Sequence, residues 1–154
     1  MRLDYMGLSG EASKSMFAIS AAIRRSSLDA ALRELVAVQI SQLNGCAHCI
    51  AVHWGKARAA GVSERELRLL PAHEEAVELG VYNQTQAAAL HVAREMTRHP
   101  ERGLPDDVFV GAQELFGDET LMWLIQHILL MNSWNRLSIA LRIPPPDAAN
   151  PDEV

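Results

Sequence analysis

The chain has 154 residues, and 49% of them are apolar. That is one domain's length with enough apolar side chain to bury a core, which excludes wholesale disorder. The formal charge of −5 leaves no basic footprint for phosphate backbones, so nucleic acid is not an expected partner.

The apolar spacing predicts helices almost throughout. The first runs from Glu11 to Arg24, opened at Ser9 or Gly10 and carrying Met16, Phe17, Ile19 and Ile23. The second runs from Leu28 or Asp29 to Leu43, capped by Asp29 or Ser27. Asn44-Gly45 interrupts the pattern. A third helix starts there, with Asn44 as its candidate cap, and runs to about Ala60, before Gly61. Ser63 to Leu70 is a short fourth, with Ser63 and Glu66 spaced for a capping box and Pro71 as its stop. Thr85 to Arg98 follows. Pro105-Asp106-Asp107 opens a helix to Phe116, closed by Gly117. The longest starts at Asp118 or Thr120 and ends at Leu141, before Pro144-Pro145-Pro146. No linker or clean repeat divides the chain. The reading is one all-α domain over residues 1–146 and a flexible polar tail over 147–154.

Met1–Gly7 has no apolar leader pattern. The longest apolar stretch, Leu121 to Met131, is interrupted by Gln126 and His127 and is shorter than the roughly 20 residues of a span. The expected setting is the cytoplasm, without membrane attachment.

Two cysteines cannot build a secreted disulfide scaffold. Cys46 and Cys49 stand three residues apart, and His53 follows four later. On an ideal helix all three fall within an arc of about 60°. A helix start stabilises a thiolate, and so would a nearby imidazolium. A bridge between positions i and i+3 is feasible and closes too small a loop to stabilise the fold much, so it would serve redox chemistry. The rival readings are zinc held by Cys46, Cys49 and His53 in an oligomeric binding module, and two inert buried thiols. Zinc lacks a fourth ligand at finger spacing. Covalent haem is weaker still, because Ile50 follows Cys49 where a histidine is required.

Glu34 has Ala30, Ala31, Ala37, Val38 and Ser41 as neighbours at helical spacing. A carboxylate among small side chains is expected to be partly buried and to need a partner, which His53 and the thiols supply if the helices fold back at Asn44-Gly45. The alternative is a surface Glu34 paired with a neighbouring arginine. His48 lies about 200° from Cys46 on an ideal helix, so the pattern alone reads it as a solvated or interface residue.

Glu34-x11-Cys46-x-His48-Cys49-x3-His53, followed by Gly61-Val62-Ser63, resembles the core motif of the AhpD-like alkylhydroperoxidases of the carboxymuconolactone decarboxylase family. Asn135-Arg136-Leu137 resembles that family too. The likeness is close over Leu28 to Leu70 and elsewhere lies in helical layout. It implies an AhpD-like helical bundle, a trimeric or hexameric homo-oligomer, and thiol-dependent reduction of hydroperoxides without a cofactor or metal. It also implies roles. Cys49 is peroxidatic, Cys46 is resolving, Glu34 and His53 relay protons, and His48 is auxiliary. An external thiol or disulfide reductant would reset the pair. The competing activity is a disulfide oxidoreductase, or an electron adaptor for a peroxiredoxin.

Outside this motif, Met122, Trp123, Leu124, Ile125, Ile128, Leu129 and Trp134 read as core or subunit interface. His127 and Asn132 read as satisfied buried polar groups, and Arg136 as the partner of a carboxylate at a helix junction. His73, His91 and His99 receive no role.

Overall fold

The computed structural model describes residues 1–99 and 101–146. The expected tail over 147–154 lies outside them. The elements are α1 (Tyr5–Leu8), α2 (Gly10–Arg24), α3 (Ala30–Asn44), α4 (Ala47–Ala59), α5 (Glu64–Leu69), a 3-10 turn (Leu70–Ala72), α6 (His73–Glu78), α7 (Gln84–Arg98) and α8 (Asp106–Leu141). No strand occurs among the described residues. No helix there is long and apolar enough to cross a membrane.

The centre of the fold is α3. Leu35, Val36, Ala37, Val38 and Ile40 are fully buried, because α4, α7 and α8 surround the helix. Leu90 and Val92 of α7 and Leu124 and Ile128 of α8 complete the core. Burying each large aliphatic side chain stabilises the fold by about 1.5–3 kcal/mol. The helix starts follow local chemistry. Asp29 accepts from the Leu32 N–H, and both Ser63–Glu66 and Asn83–Gln86 form reciprocal capping boxes.

Gly117 divides α8 at φ 70° and ψ 165°, where the sequence places a helix end. The two halves run on as one kinked element. The short helices α1 and α6 carry too few periodic positions to be anticipated. The start of the chain meets the end of α8. The Arg2 backbone N–H donates to the Leu141 carbonyl at 2.7 Å.

Candidate functional site

The site begins at the junction of α3 and α4. Gly45 closes α3 in the left-handed region at φ 72°, a conformation glycine adopts without the strain a Cβ brings. This turn shifts the cap expected at Asn44. Asn44 is the last residue of α3, and Cys46 is the N-cap of α4, extended at φ −88° and ψ 96°. Cys46 therefore lies just off the helix that carries Cys49 and His53. Its Sγ accepts the Cys49 backbone N–H at 3.3 Å. The helix-start N–H thus meets the first sulfur, not the second.

Cys46 and Cys49 are disulfide-bonded, with Cα atoms 5.3 Å apart. Both are buried, at 1% and 4% exposure. A depression of about 210 Å³ opens beside them, and its lining includes Cys46, His48, Arg142 and Ile143 but not Cys49.

One helical turn after Cys49, His53 reaches back to α3. Its Nδ1 donates to Glu34 Oε2 at 2.7 Å. The other carboxylate oxygen takes the Arg33 Nε–H at 3.2 Å. Both readings of Glu34 therefore hold in part: it is buried, and it carries an arginine partner as well as the histidine. Burial pushes its carboxyl upward, but the hydrogen bond and charge of His53, helped by Arg33, outweigh that and hold it below the ordinary 4.5.

His127, on α8, braces this pair from behind. Its Nε2–H donates to the Arg33 carbonyl at 2.9 Å, so it is a satisfied buried group. Burial pushes the imidazole down to about 4, which keeps it neutral. The sequence anticipates an arginine beside Glu34 and a satisfied buried His127, but not that His127 reaches the Arg33 carbonyl, which depends on how α8 packs on α3.

A polar ladder ties α3 to α8 beside the cysteine turn. Asn44 Nδ2 donates to Asn132 Oδ1 at 2.9 Å and to Asn135 Oδ1 at 3.0 Å. Asn135 Nδ2 donates to Ser41 Oγ at 3.3 Å, and Asn132 Nδ2 to Thr97 Oγ1 at 3.0 Å. Among the described residues Arg136 does not pair with the carboxylate that the sequence led us to expect. Its guanidinium donates to the backbone oxygen and side-chain oxygen of Asn132 one turn earlier.

His48 does not join the Glu34–His53 contact. Its ring faces the C-terminal segment, with Nδ1 2.7 Å from the Pro144 carbonyl. Among the described residues no group of three or more His, Cys, Asp or Glu side chains is arranged to hold a metal.

Residues 11–95 match the profile of the carboxymuconolactone decarboxylase family. The uncharacterized protein YdfG of Bacillus subtilis is 33% identical over 140 residues, covering 91% of this chain and 93% of YdfG. The fold superimposes with a TM-score of 0.87 on the crystal structure of ATU0492 from Agrobacterium tumefaciens. That protein is of unknown function, with a provisional assignment as the antioxidant defence protein AhpD. The two chains are 30% identical, and the match covers 95% of this chain and 98% of the other.

Proposed function

Because the chain belongs to the carboxymuconolactone decarboxylase family and carries a Cys46–Cys49 pair beside Glu34 and His53, we propose that it is a thiol-dependent peroxidase that reduces alkyl hydroperoxides in antioxidant defence. The observation that carries this reading is the buried Glu34–His53 contact, one helical turn from Cys49. The provisional AhpD assignment of the A. tumefaciens relative supports it.

In the reduced chain, His53 takes up the Cys49 proton and the Glu34 carboxylate stabilises the resulting imidazolium. The thiolate attacks the terminal oxygen of ROOH. The O–O bond breaks, Cys49 becomes a sulfenic acid, and the alkoxide takes a proton and leaves as ROH. The Cys46 thiolate then attacks the sulfenic sulfur. The S–S bond forms, and the hydroxyl leaves as water with one proton. The cap N–H favours the Cys46 thiolate in that second step. Two equivalents of an external thiol restore the dithiol and leave as their own disulfide. His48 is auxiliary, its ring meeting the Pro144 carbonyl beside the depression it helps to line.

A second reading rests on a different observation. Cys46 borders the depression, which offers an incoming thiol or thiolate a place beside a disulfide whose two residues are both nearly closed to solvent. That suits a disulfide oxidoreductase, or an adaptor that re-reduces a peroxiredoxin.

The working form in this proposal is a cytoplasmic homo-oligomer, a trimer or hexamer. Met122 and Leu129 of α8 stand half exposed in the single chain at 50% and 51%, a face that a second copy would cover.

The test is mass spectrometry of the reduced protein after one equivalent of an alkyl hydroperoxide. The peroxidase reading expects loss of two hydrogens mapped to Cys46 and Cys49, and a Cys46→Ser variant that stops at a sulfenic acid on Cys49. Thiols left unmodified by peroxide but oxidised by a peroxiredoxin disulfide would sink it in favour of the adaptor.

A further inference from the structure

Arg33 is largely withdrawn from water against its own neighbour. Adjacent positions on an α-helix point about 100° apart, and a long cationic side chain there ordinarily runs out to solvent. Arg33 instead turns back along α3. Its Nε–H meets Glu34 Oε1 at 3.2 Å, and its side chain is only 12% exposed. Taking a guanidinium out of water is costly unless it is paired and hydrogen-bonded. Among the described residues Glu34 is the one carboxylate it pairs with. The Arg33 backbone is held as well, because its carbonyl takes the His127 Nε2–H from α8 at 2.9 Å.

The consequence falls on the Glu34 carboxylate. The terminal torsion of a glutamate is soft, so a single contact leaves the group free to turn. Here both oxygens are taken, Oε1 by Arg33 and Oε2 by His53. His53 stands four residues after Cys49 on α4, a spacing at which side chains meet. Among the described residues, the charged and titratable groups that face Glu34 are His53 from α4, Arg33 from α3 and His127 from α8. Burial takes His127 down to about 4, so it adds no charge near neutral pH. An arginine keeps its charge throughout. Arg33 is thus the permanent cation beside the relay.

We propose that Arg33 is a positioning residue of the dithiol centre, one that fixes the Glu34 carboxylate toward His53 and supplies a permanent positive charge that favours the Cys49 thiolate. The proposal rests on the peroxidase reading for its consequence in turnover, but the thiolate can be read without any peroxide. The sign follows from charge. Removing a nearby cation makes each neighbouring acid hold its proton more tightly. Loss of the Arg33 charge therefore moves the first proton loss of the Cys49–His53 pair to higher pH. A prop without an electrostatic part would act in the opposite direction. Its loss would let Glu34 turn away, and the relay would lose a negative charge.

The test is a pH titration of thiolate ultraviolet absorbance in the reduced full chain carrying Cys46→Ser, where Cys49 is the single thiol. Serine is itself a good cap at that position. Arg33→Met has an apolar side chain of similar reach. It is expected to raise the midpoint of the acid limb by about half a pH unit or more. Arg33→Lys keeps the charge and is expected to bring the midpoint most of the way back. Arg33→Gln takes the place of Arg33→Met if that variant does not fold. A midpoint unmoved by the loss of charge overturns the proposal. An equal shift in Arg33→Met and Arg33→Lys also overturns it, because shape would then be the cause. So does a downward shift, because the carboxylate would then have left with the arginine. A separate arm adds cumene hydroperoxide to the reduced chain with both cysteines. An upward shift in Arg33→Met, reversed by lysine, together with thiols that the peroxide leaves untouched, would support the role of Arg33 and sink the peroxidase reading alone.

Discussion

Glu34 and His53 are separated by 19 residues and one helix junction, yet Oε2 and Nδ1 meet at 2.7 Å. The contact locks α3 to α4 across the turn that carries the cysteines. It joins a carboxylate held in its charged form to an imidazole one turn from Cys49. Glu34→Gln keeps the shape and removes the charge. In the proposed reaction the rate of peroxide-driven disulfide formation should fall by about 10²-fold or more, with the Cys46–Cys49 bridge still able to form in strong oxidant. Stopped-flow tryptophan fluorescence reads the rate.

The same carboxylate sets an acid limit. Its folded value lies below its ordinary 4.5, so its contribution to stability is complete above about 4.5 and is lost as pH falls through the lower folded value. His127 acts in a higher window. Burial depresses its folded value to about 4, while the unfolded chain takes up the proton near 6.5. The unfolded state thus binds more protons between those values, and stability should fall by up to about 1.4 kcal/mol per pH unit on going down from 6.5 to about 4. His73, also lowered by burial, acts in the same direction. Urea unfolding at stepped pH should show a shallower slope in His127→Gln, whose amide can still donate to the Arg33 carbonyl. An unchanged slope would mean that His127 does not titrate across this window.

Much of this site is legible in the residues, and the missing parts share a cause. Spacing alone brings Cys49 and His53 to one helix face, and a glutamate among alanines on the preceding helix points to a buried partner. Spacing misassigned the cap. Asn44 is a good cap by type, but the left-handed Gly45 ends α3 and passes the N-cap to Cys46. Helix periodicity cannot see that exchange, because one residue's φ decides it. The link between His127 and Arg33 is hidden for a similar reason, because His127 donates to a backbone carbonyl 94 residues away.

Gly45→Ala tests that exchange. An added Cβ has no heavy atom within 4 Å, so the cost comes from the positive φ alone. Stability should drop by about 1 kcal/mol. A change in the reduction potential of the cysteine pair, measured against glutathione, should accompany it, because Gly45 orients Cys46. An unchanged potential with lowered stability would separate the turn from the redox centre.

The exposed apolar face of α8 makes a prediction about assembly. Leu129→Glu places a charge on a half-exposed position outside the core. In the proposed oligomer it should shift sedimentation toward the single chain while helical circular dichroism is kept. Sedimentation identical to that of the parent protein would place the interface elsewhere.

The hydrogen bond from the Arg2 backbone to the Leu141 carbonyl nearly closes the helical core into a ring. A ring has no privileged opening. A short linker joining these ends, with new termini cut near Gly103 in the α7–α8 connection, should give a permuted chain with the same packed core. The cysteine turn and α3 would then lie in the C-terminal half of the permuted chain. This would move the redox centre from early to late in synthesis without altering any of its contacts.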